Sequence, residues 1–347
     1  MTGVQTCALP IYKQTVDVDI DASFFNFSPI GNSSTRFTGS YNGDGHTINN
    51  LFIDRPDSDY IGLFGYIGVD SNSTTTIQNL GLTNVSITGN SEVGALVGYK
   101  RQGMLTVSNC YSTGSVTGTN SNAGGLVGQL RNGGAISNCY STCTVNGDNG
   151  VGGLVGILDG VSSNVVNCYS TGSVTGSGIN VGGLVGFLNS SSVSNSFWDT
   201  QTSGTSTGIG AGSSTGTTGK TTAEMQIAST FTVASWDFEE DGNGNDNGTS
   251  GGASGNGTDN YWDMIQDGNN YPVLSWQDGA TILVTDLTAT TITIATTLPS
   301  GSTTNDATLP LIFTTSKPTT DFAEDDITVT NGALSSFSAT SDRKSVV

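Results

Sequence analysis

A chain of 347 residues with 10 basic and 29 acidic side chains has a net charge of −19, yet only 11% of it is charged, against roughly a quarter in an ordinary globular protein. Its 49 glycines are about twice the usual share of roughly 7%. They follow no G-X-Y period, and no apolar run reaches the ~18 residues of a bilayer span, which excludes collagen and a membrane span within this chain.

Residues 1–14, opening Met-Thr-Gly-Val-Gln-Thr-Cys, match nothing downstream and resemble translated sequencing adapter, as does the closing Asp-Arg-Lys-Ser-Val-Val at 342–347. Both are read as non-native ends of an internal, metagenomic-type fragment. From Val93 to Trp198 the only carboxylates are Asp148 and Asp159, whereas nine lie between Asp237 and Asp278. The neutral block is rich in regularly spaced Leu, Val and Ile, unlike a disordered chain. The scarcity of basic residues argues against a nucleic-acid partner.

The neutral block is a repeat. Gly/Ala-Leu-Val-Gly recurs with its leucine at Leu96, Leu126, Leu154 and Leu184. Asn-Cys-Tyr-Ser recurs at 109–112, 138–141 and 167–170, with Asn195-Ser196-Phe197-Trp198 as a variant. The looser pattern Ile/Val-x-Asn extends the column upstream, giving Asn50, Asn79, Asn109, Asn138, Asn167 and Asn195 at spacings of 28 to 30. A period near 29 without helical apolar spacing rejects helical repeats, and it is too short for a propeller blade of about 40–50 residues. Short β-branched segments broken by Gly corners fit one coil of a parallel solenoid, so the fold class is all-β: a right-handed parallel β-solenoid of about six coils.

Stacked coils place equivalent residues ~4.8 Å apart. The four leucines form one inward ladder, and Ile48, Ile77, Val107, Ile136, Val165 and Val193 another. The asparagines occupy a bend, where an amide can donate and accept along the stack. Cys110, Cys139 and Cys168, with Leu51 and Leu80 in the same column, read as buried small hydrophobes rather than disulfides, because stacked side chains point the same way.

The repeated G-G-L-V-G followed by I/V-x-N-C-Y-S-T-G-x-V-x-G resembles the GLUG motif of bacterial surface adhesin-like proteins and of accessory regions in IgA-peptidase-like proteins. The resemblance extends over about residues 24–277. It implies an extracellular or cell-surface β-solenoid and no single activity.

The expected organisation is therefore a solenoid at 15–199 and a Gly/Ser/Thr-rich, acidic exit or cap at 200–278. Thr-rich alternating segments at 279–341 read as strands and resemble a truncated bacterial Ig-like β-sandwich.

Candidate sites are few. His46, the only histidine, lies in a Gly-Asp-Gly-His turn and reads as a turn residue; two-histidine zinc sites are excluded. Asp44, Asp54, Asp57 and Asp59 are the one acid cluster near the coils that could serve polysaccharide cleavage, with solvated loop acids as the plainer reading. Tyr111, Tyr140 and Tyr169 form a column that is either core or an outward aromatic stripe for a sugar or peptide. The acidic loop offers Asp241, Asn243 and Asn245 to calcium, but no register satisfies the EF-hand pattern. No catalytic residue and no cofactor is assigned. The function expected is a non-catalytic structural or adhesive segment whose partner is a host or matrix glycan or protein. The alternatives are a carbohydrate-active β-helix enzyme, or an accessory repeat of a peptidase whose catalytic domain lies elsewhere.

Overall fold

The computed structural model describes residues 10–20, 26–68, 74–236, 238, 261–264 and 268–279, together with four backbone strands between 292 and 346. The chain divides into two units, Met1–Ile282 and Leu283–Val347.

The first unit is a parallel β-solenoid. Each residue pairs with its counterpart one coil away. One inward ladder runs Phe64, Val97, Val127, Val155, Val185 and Ile209. A second runs Ile53, Ile87, Val116, Val145 and Val174. Leu96, Leu126, Leu154 and Leu184 are fully buried, and their amides bond from coil to coil at 2.9 Å. Burying each such side chain contributes roughly 1.5–3 kcal/mol. Since no coil closes a core alone, stability accumulates by stacking.

The corners explain the asparagines. Asn79, Asn109, Asn138, Asn167 and Asn195 all have φ between 48° and 54°, the left-handed region that Asn tolerates better than other side-chain-bearing residues. The amide ladder expected there forms only in part: Asn109 Nδ2 donates to Asn79 Oδ1 at 3.1 Å and Asn79 Nδ2 to Asn42 Oδ1 at 3.2 Å. The side-chain oxygens of Asn109, Asn138 and Asn167 have no hydrogen-bond partner. Backbone conformation, more than the amide chain, is what this column supplies. A second left-handed corner, at Glu92, Asn122, Gly150 and Asn180, escapes the sequence pattern because four positions carry three residue types.

Asn50 does not belong to the column in which its spacing placed it. Tyr41 pairs with Ile77, and Asn49 with Thr83, so Asn50 is the counterpart of Asn84; both are left-handed, at 60° and 53°. Ile48 likewise faces Leu82, and His46 faces Leu80. The turn at Gly43-Asp44-Gly45 inserts two extra residues between Asn42 and His46 relative to Gln78 and Leu80. The 29-residue period therefore misaligns this coil. Leu51 leaves the cysteine column for the same reason: the amide of Ser86 bonds to its carbonyl.

Coil pairing also exceeds the expected 15–199. Ile11–Lys13 pairs with Ser40–Asn42 and Val18–Asp19 with Ile48–Asn49. At the other end Thr217–Lys220 pairs with Ser196–Asp199.

The two halves of the repeat motif are joined inside the coil. Ser112 Oγ donates to the Gly125 carbonyl at 2.9 Å, and Ser170 Oγ to that of Gly183 at 2.5 Å. A Cβ on Gly153 would collide with the Gly183 carbonyl and press on the Ser170 side chain. Glycine in G-G-L-V-G thus lets the backbone close onto the inward serine of N-C-Y-S.

The second unit contains, among its described residues, an antiparallel sheet in the order Ile292–Thr296, Leu311–Thr315, Lys344–Val346, Ser338–Ser341.

Candidate functional site

After the last coils the chain folds back over one face of the solenoid. A capping box starts its first helix, Thr222–Met225: Thr221 N donates to Glu224 Oε2 at 2.8 Å and Glu224 N to Thr221 Oγ1 at 3.3 Å. Asp199 then pins the segment. Its buried carboxylate accepts from Tyr271 Oη at 2.6 Å, Thr222 Oγ1 at 2.7 Å and the amides of Gln201 and Thr202. Burial pushes this carboxyl up, but the donors, Tyr271 first, outweigh it and hold it below its ordinary value.

Tyr111, Tyr140 and Tyr169 point away from the solenoid core, opposite the inward cysteines, yet they are not an open stripe. Their rings stack at 4.9 Å with interplanar angles of 6° and 3°. The returning segment seals them with Phe231, Trp236, Trp262 and Tyr271, forming a second core distinct from the coil interior. Tyr169 Oη donates to the Pro272 carbonyl at 2.5 Å, and Tyr140 is bonded to the Gln277 side chain. Burial raises both phenols. Cys110, Cys139 and Cys168 are buried and free, their thiols donating to carbonyls of their own coils at 3.1–3.2 Å.

At the edge of this seal lies a cleft of about 310 Å³ lined by Asp44, Gly45, Asn79, Asn109, Tyr261, Ser275 and Trp276. Trp276 packs on Tyr111, with ring centroids 5.6 Å apart, and its Nε1 donates to the Asn109 carbonyl at 3.2 Å. The turn that misaligns the first coil supplies Asp44, whose carboxylate pairs with Lys13 at 2.7 Å. An indole wall, a phenol, two amides and one carboxylate can recognise a hydroxylated ligand. A single carboxylate does not make an acid/base pair.

The remaining candidates are scattered. Asp59 accepts from Asn90 Nδ2 at 2.7 Å at another corner, and Asp54 and Asp57 are exposed. His46 Nδ1 lies 3.4 Å from Asp17. No group of three His, Cys, Asp or Glu among the described residues could hold a metal. Asp241, Asn243 and Asn245 lie outside the described residues. The cleft itself was not legible in the repeat, since Trp276 comes from 167 residues beyond Asn109.

A family model described as "the GLUG motif" matches residues 119–146. One repeat of the solenoid thus matches the GLUG motif. Halomucin of Haloquadratum walsbyi is 39% identical over 127 residues, covering 34% of this chain and 1% of that protein. A protein named as a Gly-rich membrane protein from Evansella cellulosilytica is 38% identical over 94 residues, covering 25% of this chain and 10% of its own length. The chain thus spans a small part of the curated relatives it matches. A crystal structure described as an immunoglobulin A1 protease from Bacteroides ovatus shares 25% identity at a TM-score of 0.46, over 55% of this chain and 60% of that one. No helix among the described residues is long and apolar enough to cross a membrane.

Proposed function

We propose that this chain is a non-catalytic structural and adhesive segment of a secreted or cell-surface bacterial protein: a stiff spacer whose capped face presents a ligand-binding cleft. The observation that carries the reading is the in-register stack from Ile11 to Lys220, sealed along its aromatic face. Such a stack grows by ~4.8 Å per coil without altering its neighbours. The low charge of the coils and the similarity to segments of much longer proteins support the same assignment. The antiparallel strands of the second unit support an Ig-like module at 279–341.

The test duplicates or deletes one repeat (138–166) and measures the length of the folded chain by small-angle scattering. In parallel, the chain is screened against polysaccharides for binding and for cleavage. The expected result is a step of about 5 Å per coil, retained folding, and glycan binding that Trp276→Ala removes. Cleavage abolished by Asp44→Asn would overturn this reading in favour of a carbohydrate-active β-helix enzyme.

A further inference from the structure

Basic residues are scarce, and their placement is uneven. Of five arginines in the chain, Arg36, Arg101 and Arg131 converge on two tyrosines of the outer solenoid face. Tyr66 and Tyr99 are stacked counterparts in adjacent coils, meeting edge to face at 5.0 Å. Tyr60 lies across both, at 5.2 Å from Tyr99 and 5.0 Å from Tyr66. The Arg36 guanidinium sits 5.2 Å from the Tyr66 centroid, Arg101 lies within electrostatic reach of Tyr66 and Tyr99, and Arg131 within that of Tyr99.

The three cations form a ladder. Lys100 pairs with Leu130, so the next residues, Arg101 and Arg131, stand one coil apart, ~4.8 Å along the stack. Gly68 occupies the preceding step; it carries no side chain, and Arg36 packs over it. Below the corner, the buried Lys100 ammonium donates to the carbonyls of Arg131, Asn132 and Gly133, adding a fourth positive charge. The column then changes sign at Asp159, whose carboxylate lies 3.3 Å from Arg131 Nε. Asp59 and Glu92 lie beside Tyr60. Among the described residues no carboxylate lies within ion-pair distance of Arg36 or Arg101.

Like charges on successive strands oppose folding, so stability does not account for this ladder in a chain of net charge −19. The planar guanidinium fork suits bidentate binding of carboxylate or sulfate, and the Arg36 fork is set against the Tyr66 ring. The step between the forks is comparable with the length of one pyranose ring. We propose that Arg36, Arg101 and Arg131 bind an acidic glycan carrying one anionic group per sugar, laid along the solenoid axis. Charge complementarity and the regular step favour a polymer with periodic charge. The chain's overall acidity does not prevent contact, because charges beyond about 8 Å are screened at physiological salt.

The experiment titrates the full chain with polygalacturonate, with its fully methyl-esterified form and with a phosphorylated peptide, at low and at physiological salt. Saturable binding of polygalacturonate that weakens with salt is expected, with at least a tenfold loss in an Arg36→Gln, Arg101→Gln, Arg131→Gln triple variant. Arg55→Gln, a surface arginine elsewhere, leaves binding unchanged. Circular dichroism and thermal melting check that the triple variant remains folded; single variants, each losing part of the affinity, serve if it does not. Equal binding of the esterified polymer, tighter binding of the phosphopeptide, or unchanged affinity in the folded triple variant would each overturn the proposal.

Discussion

Among the described residues Lys100 is the one charged side chain inside an aliphatic ladder. It stands in the column Ile67, Lys100, Leu130, Leu158, Leu188 and is fully buried. Two effects oppose each other. Taking an ammonium out of water costs several kcal/mol, and three carbonyls return part of that as charge-assisted hydrogen bonds. Burial lowers its pKa from 10.5 to about 8, which places the net balance on the unfavourable side. The sign follows from linkage: between pH 8 and 10.5 the unfolded chain binds more protons than the folded one, so stability rises with pH across that window. At ~1.4 kcal/mol per pH unit the ceiling is about 3.5 kcal/mol, and relaxation and water penetration bring it nearer half of that. Lys100→Met removes the charge and restores the ladder, at the cost of three unpartnered carbonyls. Urea denaturation at pH 7, 8, 9 and 10 is expected to show the parent gaining stability with pH. The variant is expected to be flat and more stable at pH 7 by about 1–2 kcal/mol. A variant less stable than the parent at pH 7 would mean that the carbonyls outweigh desolvation, and the reasoning would fail.

Other perturbations separate the roles of single positions. Leu154→Ala opens a cavity in the middle of the stack and is expected to cost about 2–5 kcal/mol, read from the shift in thermal midpoint. Gly153→Ala forces a collision with the Gly183 carbonyl and is expected to lower the midpoint far more than Gly204→Ala. Gly204 has φ +72° and nothing within 4 Å, so only its backbone conformation resists the change. Asp199→Asn weakens the latch on Tyr271 and Thr222. Because its folded pKa is depressed, that stabilisation is present above the ordinary carboxylate range and is lost as pH falls through the folded value. The variant is expected to flatten the acid limb of cap fluorescence, with Trp236 and Trp262 as probes.

Legibility in the sequence followed periodicity. Wherever every coil uses a position the same way, as at Leu126, Val127 and Val145, the period alone predicts the ladder, because register in a parallel stack repeats side chain on side chain. Asn50 falls outside its expected column, since Gly43-Asp44-Gly45 adds residues that a fixed period cannot register. At Tyr140 the repeat identifies a column but neither the way it faces nor what covers it. The cover comes from Phe231, Trp236 and Trp262, which lie outside the repeat, on a segment anchored by Asp199 and by hydrogen bonds such as that of Trp236 Nε1 to the Asn195 carbonyl. The arginine ladder was invisible for a further reason. Arg36 reaches the step left empty by Gly68 from a different strand, so no column in the sequence contains all three cations.

The aromatic seal and the coil core should come apart under alkaline conditions. Tyr169 donates its hydroxyl to the Pro272 carbonyl, a bond that a phenolate cannot make; the Tyr140 hydroxyl meets both Oε1 and Nε2 of Gln277, and a phenolate would keep only the accepted bond. Burial raises both groups above the ordinary value of 10.0, and burial with Asp199 nearby raises Tyr271 to about 12. For a raised phenol the protonated form is favoured in the folded state, so its stabilisation is complete below pH 10 and is lost as pH climbs toward the folded value. The coil interior is aliphatic apart from hydroxyls, thiols and Lys100; its raised thiols lose stabilisation from pH 9 by the same rule, while the lysine gains it over the first part of that range. The seal, a smaller layer held by the hydroxyls of Tyr140, Tyr169 and Tyr271, is expected to open before the stacked coils. A pH titration followed by tryptophan fluorescence, which reports the seal, and by far-ultraviolet circular dichroism, which reports the coils, should give two transitions with fluorescence leading. A Tyr140→Phe, Tyr169→Phe variant should move the first transition upward, because it removes the ionising groups while keeping the rings stacked. Coincident transitions in the parent chain would show that seal and solenoid unfold as one cooperative unit, and the spacer would then depend on its cap along its whole length.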